Sequence, residues 1–306
     1  MKRARLSALA DSSHLWALRR ARAAIHVALS GRDHLLPQLA ESRRLQLPGA
    51  EGPLEGRLYR PIGVSVDAPL LLFFHGGGFV VSDLDTHEAL CIRLADAGRM
   101  RVLSAEYRLA PEHRYPAQLD DAMAVTRWML GEGASGLDLG RGVAVGGDSA
   151  GAYLAASTAA HLHADFPGAI RAQLLIYPLL QLDGAVWAES LFEETRAIGW
   201  AAVQYINAQL LGAGVTAPSL LSLSEIAPLD SVIVAGGLLD PCKVDAVVLA
   251  DLLRKAGREV VWRDYPDLIH GFGNLTHVSE AARQAVAETG ALIGQVMTIS
   301  ESEQRR

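Results

Sequence analysis

Cysteine is nearly missing from this chain: Cys91 and Cys242 are the only two in 306 residues. Two thiols make neither a disulfide framework nor a ligand set for a structural metal, and such scarcity suits a reducing, cytoplasmic setting. No apolar run reaches the ~18 residues of a membrane-spanning helix. Nor is there a short apolar stretch suited to the core of a secretory signal, so stable membrane insertion is not expected. Basic clusters are absent outside one N-terminal helix, and the net charge is -6, which argues against nucleic acid as a partner. Neither a Walker pattern nor a G-x-G-x-x-G spacing occurs, since Gly142–Gly151 reads GVAVGGDSAG. No cofactor and no bound metal are therefore expected.

Glycine, by contrast, is abundant, and it is concentrated where strand-like runs end. Val143-Ala144-Val145 leads into Gly147-Asp148-Ser149-Ala150-Gly151. That is a strand breaking sharply into a helix with a serine at the tip. Such a turn strains the serine backbone, and only glycine on either side leaves it room to close. A second strand-like run, Leu70 to Phe74, leads into His75-Gly76-Gly77-Gly78-Phe79. Alone, a triple glycine reads as a flexible turn. Beside a nucleophile elbow it reads as a loop whose backbone N–H groups can face the negative oxygen that develops in acyl transfer.

Two further strand-like runs end in candidate partners for the serine. Val232 to Ala235 leads to Asp240-Pro241, and Val260 to Trp262 leads through Asp264 to Ile269-His270-Gly271-Phe272. Both candidates lie past a strand's C-terminal end, where open α/β sheets build their sites. The chain order Ser149, Asp240, His270 is the Ser, Asp, His order of α/β-hydrolases. Bland readings exist for both: Asp240 before proline fits a helix N-cap, and His270 could be a loop histidine bonded to backbone. Asp245 is the rival acid, expected inside the following helix and pointing away from the sheet edge. Asp264 and Asp267 rank behind it.

In combination the segments HGGGFVVSDLDTHE (75–88), YRLAPEHRYPA (107–117), GDSAGAYLAA (147–156) and IHGF (269–272) resemble the hormone-sensitive-lipase-like branch of the α/β-hydrolases, the bacterial family IV esterases. The resemblance runs from about Glu55 onward. It implies Ser149 as nucleophile, His270 as general base and then acid, and Asp240 as the group that orients the imidazole. Oxyanion donors would be the backbone of Gly77, Gly78 and Ala150, with Gly76 positioning the turn. His75, Asp83 and Asp148, together with Tyr107, Arg108 and Glu112, would brace the glycine loop. Two departures stand out. Family members usually continue after Asp-Pro with Leu, a basic residue and Asp-Glu-Gly, where this chain has Cys242-Lys243-Val244-Asp245-Ala246; and Ala152 replaces a second glycine after the elbow.

The fold class expected is α/β: an α/β-hydrolase fold with a mostly parallel central sheet, flanking helices and a helical cap. Helices are expected near 87–97, 117–130, 150–163, 243–256 and 278–297. Residues 1–50 are read as N-terminal cap helices, because Leu18, Ile25 and Leu29 recur at helical spacing beside Arg19, Arg20 and Arg22. The catalytic domain is read as 51–306, with a cap insertion at about 183–215. Trp16, Trp187, Phe192 and Trp200 are candidate pocket walls. The implied activity is hydrolysis of short- to medium-chain acyl esters. Amide, carbamate or lactone hydrolysis, a dehydration, or a non-catalytic small-molecule receptor are the alternatives. The family analogy adds a homodimer.

Overall fold

The structure is a computed structural model that describes residues 17–30, 33, 35–131, 133–139, 142–182, 200–212, 219–221, 230–236 and 240–304. Its frame is an eight-stranded sheet in the order β1-β2-β4-β3-β5-β6-β7-β8. The strands are β1 (Leu39–Pro48), β2 (Pro53–Pro61), β3 (Leu70–Phe74), β4 (Arg101–Ala105), β5 (Val143–Asp148), β6 (Ile170–Ile176), β7 (Asp230–Ala235) and β8 (Val260–Asp264). β2 runs antiparallel to both β1 and β4, and every pairing from β4 through β8 is parallel.

The expected 1–50 cap boundary is corrected here. Leu39–Pro48 is the edge strand of the sheet, so the N-terminal appendage described is a single helix, α1, over residues 17–29. Its successors are α2 (Glu88–Gly98), α3 (Ala117–Leu130), the one-turn α4 (Ala134–Leu137), α5 (Ala150–Leu162), α6 (Trp200–Leu211), α7 (Lys243–Lys255) and α8 (Glu280–Gln304). α2, α3, α5 and α7 fall within a residue of the spans read from sequence, and α8 starts two residues late and runs seven past Met297, whereas the one-turn α4 has no counterpart among those spans.

Central strands that are apolar at every position must be covered on both faces. All five residues of β3 are buried, and successive side chains point to opposite sides of the sheet. Leu70, Leu72 and Phe74 accordingly join one core, with residues of α3, α5 and α7. Leu71 and Phe73 join the other, with residues of α2 and α8. From β3 the chain crosses to β4 on one side and then back to β5 on the other. That reversal opens a crevice at the C-terminal ends of β3 and β5. The four segments singled out in the sequence all leave the sheet on this edge.

Candidate active site

Ser149 sits between β5 and α5 with φ 52° and ψ -116°, a left-handed backbone that a non-glycine residue adopts only under strain. Its neighbours explain why glycine flanks it. A Cβ on Gly151 would lie 1.9 Å from the Phe74 carbonyl oxygen, and one on Gly147 would lie 2.3 Å from the Gly151 carbonyl carbon. The strain is held by backbone bonds on both sides: Ser149 N–H donates to Ile176 O (2.9 Å), and Leu179 N–H donates to Ser149 O (3.2 Å).

The elbow presents Ser149 Oγ 2.9 Å from His270 Nε2. On the far side of the ring, His270 Nδ1 lies 2.9 Å from Asp240 Oδ1. All three residues are buried, with Ser149 and His270 retaining 8% and 9% exposure at the cavity floor. Asp240 Oδ1 also accepts the Cys242 N–H at 2.8 Å, a turn bond two residues on and not a cap, since the N-cap of α7 is Cys242. Burial opposes a charged imidazole, yet the Asp240 charge and hydrogen bond outweigh it, with a further push from Asp148, so the His270 pKa is raised. Tyr177 packs against the ring at a centroid distance of 4.9 Å.

The rival Asp245 is fully buried, but it points to the loop after β6. There it accepts Leu180 N–H (2.7 Å), Gln181 N–H (3.1 Å) and Gln181 Nε2 (2.8 Å). Asp264 is engaged elsewhere, by Lys243 Nζ at 2.6 Å.

The glycine loop curls so that Gly77 O accepts the N–H groups of Val80 and Val81. Gly77 and Gly78 hold φ +110° and +62°; a Cβ on Gly77 would lie 2.2 Å from Val81 O, and one on Gly78 2.7 Å from Ile206 Cδ1. Both face the same cavity as Ser149 and His270. Ala150 opens α5, where the first amides find no acceptor in their own helix.

Behind the loop lies a buried polar network. Asp148 accepts Gly76 N–H at 2.8 Å and Tyr177 Oη–H at 3.2 Å, and lies 3.2 Å from His87 Nε2. Burial would raise its pKa, but the His87 charge and hydrogen bond, the Gly76 amide and His75 together lower it. His75 has Nδ1 against Gly76 O (2.7 Å) and Nε2 against Glu106 (3.3 Å), while Tyr107 Oη–H donates to His75 O at 2.8 Å. Asn274 Nδ2 sits 3.0 Å from His87 Nε2 while Asn274 Oδ1 has no partner. Turning the amide end for end lets Oδ1 accept from His87 Nε2–H.

Two of the expected loop braces act elsewhere. Arg108 reaches Asp121 (2.8 Å) and Glu51 (2.6 Å), and Glu112 takes Arg22 of α1 at 2.8 Å. Asp83 bonds Thr86 N–H (2.9 Å) and His26 Nδ1 (2.7 Å), so it joins α1 to the segment after the glycine loop. Glu106, His87, Asn274 and Tyr177 were missed in the sequence. His87 lies inside the recognised segment 75–88 and Glu106 adjoins the one at 107–117, but nothing local signals their side-chain partners.

The cavity above Ser149 has a volume of about 470 Å³, within the usual range for small-molecule sites. Ile25 and Leu29 of α1, Val203 and Ile206 of α6, and Leu179 and Ile269 make an aliphatic wall, interrupted by Ser82, Asn207 and Asn274. Trp16, Trp187, Phe192 and the side chain of Trp200 lie outside the described residues, as does the expected cap insertion except for residues 200–212. α1 is clamped over the loop by Arg22, which donates to Val80 O and Ala110 O at 2.7 Å each and to Glu112. No described helix is long and apolar enough to cross a membrane.

A family model described as the alpha/beta hydrolase fold matches residues 71–274. Esterase LipI of Mycobacterium tuberculosis is 36% identical over 255 residues, covering 79% of this chain and 78% of that protein. Carboxylesterase NlhH of the same species is 32% identical over 262 residues, covering 82% and 81%. Among solved structures, an esterase of Pyrobaculum calidifontis superposes with a TM-score of 0.80 at 27% identity, covering 92% of this chain and 93% of that one.

Proposed function

The chain belongs to the α/β-hydrolase fold family, in its hormone-sensitive-lipase-like branch, and we propose that it is a serine carboxylesterase acting on short- to medium-chain acyl esters. The observation that carries this reading is the unbroken relay Ser149 Oγ, His270 Nε2, His270 Nδ1, Asp240 Oδ1, with both links at 2.9 Å, opening into an aliphatic cavity. In it, His270 takes the Ser149 proton as Oγ attacks the ester carbonyl carbon, and Asp240 holds the imidazole in the tautomer with its proton on Nδ1. The tetrahedral oxyanion is bound by the amides of Gly77, Gly78 and Ala150, whose loop is backed by Asp148 through Gly76 N–H. The alcohol leaves with the proton from His270. Water then attacks the acyl-enzyme by the same route, releasing the acid and free Ser149.

The acyl range rests on the cavity. About 470 Å³ houses a small ester with several methylenes, and the aliphatic wall favours an acyl chain over a charged one. The test is hydrolysis of p-nitrophenyl esters from acetate to palmitate by the wild type and by Ser149→Ala. Turnover peaking at short or medium chains and falling on the order of 10⁶-fold in the variant supports the reading. Turnover that survives the substitution, or an absence of turnover on every ester, overturns it.

A further inference from the structure

Cys242 stands where the family usually has leucine, and nothing in the acyl-transfer scheme uses its thiol. It is buried and lines the cavity beside Pro241 and His270. Its Sγ, one carboxylate oxygen of Asp240 and one ring nitrogen of His270 all lie within 4.8 Å of one another, making the one such cluster among the described residues. Asp240 Oδ2 is buried without a hydrogen-bond partner, a costly condition for a carboxylate oxygen unless a cation or donor can reach it. Thiolate, imidazole and carboxylate together are the donor set that zinc-class cations prefer.

We propose that Asp240, Cys242 and His270 form a binding site for a thiophilic divalent cation of the zinc class, entered from the substrate cavity. Metal–ligand bonds of ~2.0–2.3 Å put tetrahedral ligand atoms roughly 3.3–3.7 Å apart. Binding therefore requires the most widely spaced of the three donors to draw in by about 1 Å. The charges balance on binding. With neutral thiol, neutral imidazole and carboxylate the site carries one negative charge; loss of the Sγ proton to solvent adds a second, and the dication cancels both. The thiolate forms together with the metal, with the buried carboxylates of Asp240 and Asp245 close by in the chain. The same negative surroundings attract the cation. One proton is released per metal bound.

If the esterase reading holds, occupancy silences the enzyme whichever ring nitrogen binds. Metal on Nε2 removes the acceptor for the Ser149 proton, and metal on Nδ1 removes the hydrogen bond to Asp240. Cys242 would then make a carboxylesterase switchable by free zinc-class cations and restorable by a chelator.

Binding is measured first on the Ser149→Ala protein, so that the result does not depend on activity. Cd²⁺ titration, followed by the ultraviolet thiolate-to-cadmium charge-transfer band, should saturate at one metal per chain. The band should persist in Cys91→Ser and disappear in Cys242→Leu, with Cd²⁺ affinity at least about tenfold weaker. On the active enzyme, Cd²⁺ should inhibit with the same midpoint and EDTA should restore turnover. A band that follows Cys91, no band at saturating Cd²⁺, or equal inhibition of the wild type and Cys242→Leu would each overturn the site. Cd²⁺ binding without inhibition would also overturn it, because the ligands are then not those of the relay.

Discussion

Asp240→Asn changes one charge at nearly constant shape, and the geometry sets how much that must cost. As His270 takes the Ser149 proton, an imidazolium forms with Nδ1 2.9 Å from Asp240 Oδ1. Centre to centre, the charges are about 4 Å apart, worth about 4 kcal/mol at an effective dielectric of 20, or roughly three decades in rate. The substitution does more than delete this attraction, because an asparagine NH₂ turned toward Nδ1 favours the tautomer with the proton on Nε2, which cannot accept from Ser149. Together the two effects should lower kcat by about four decades, as expected for loss of the orienting acid in such a relay. A second signature accompanies the loss. Burial alone pushes the His270 pKa down, and Asp240 is the chief group that lifts it, so the acid limb of kcat/KM should move to lower pH in the variant. The assay is the pH profile of p-nitrophenyl ester hydrolysis for wild type and variant. A loss below tenfold, or an acid limb that stays in place, would show that another group orients His270 and that Asp240 only closes the turn before α7.

Three other outcomes follow from the same contacts. In the wild type, His270 must be neutral to act as base and its pKa is raised above 6.5, so activity should fall as pH drops through a midpoint above the ordinary imidazole value; a rate flat between pH 5 and 8 would contradict the role. Asp245→Ala leaves Leu180 N–H, Gln181 N–H and the Gln181 amide without their acceptor; it should cost about 3–5 kcal/mol in a denaturant melt, with kcat per folded molecule falling far less than in Asp240→Asn. Arg22→Ala removes the clamp on Val80 O, Ala110 O and Glu112 and should loosen α1 over the cavity, raising KM for longer acyl chains several-fold; unchanged KM across the ester series would mean that α1 does not shape the pocket.

The chemistry of this chain was legible where it depends on local backbone. Gly76, Gly77, Gly147 and Gly151 are demanded by backbone carbonyl groups within 2–3 Å of their missing side chains, and such glycines stand out in short runs of consecutive residues. The alternation of uninterrupted apolar runs with amphipathic helices likewise announces a parallel sheet covered on both faces, since β3 must be dry on each side. Pairing between distant side chains is not written that way. His270 reaches Ser149 across 121 positions because β5 through β8 lie side by side in register, and periodicity carries no trace of that register. For the same reason Arg108 turned to Asp121, Glu112 to Arg22, and Asp245 to the loop after β6, each against or beyond its reading from the motif. An exposed edge strand such as Leu39–Pro48, with Arg43 and Arg44 amid its apolar residues, is a strand only because β2 pairs with it. Local turns and burial periods are properties of neighbouring residues and so belong to the sequence. Which acid meets which base is set by how strands align across the sheet, and only the tertiary structure decides it.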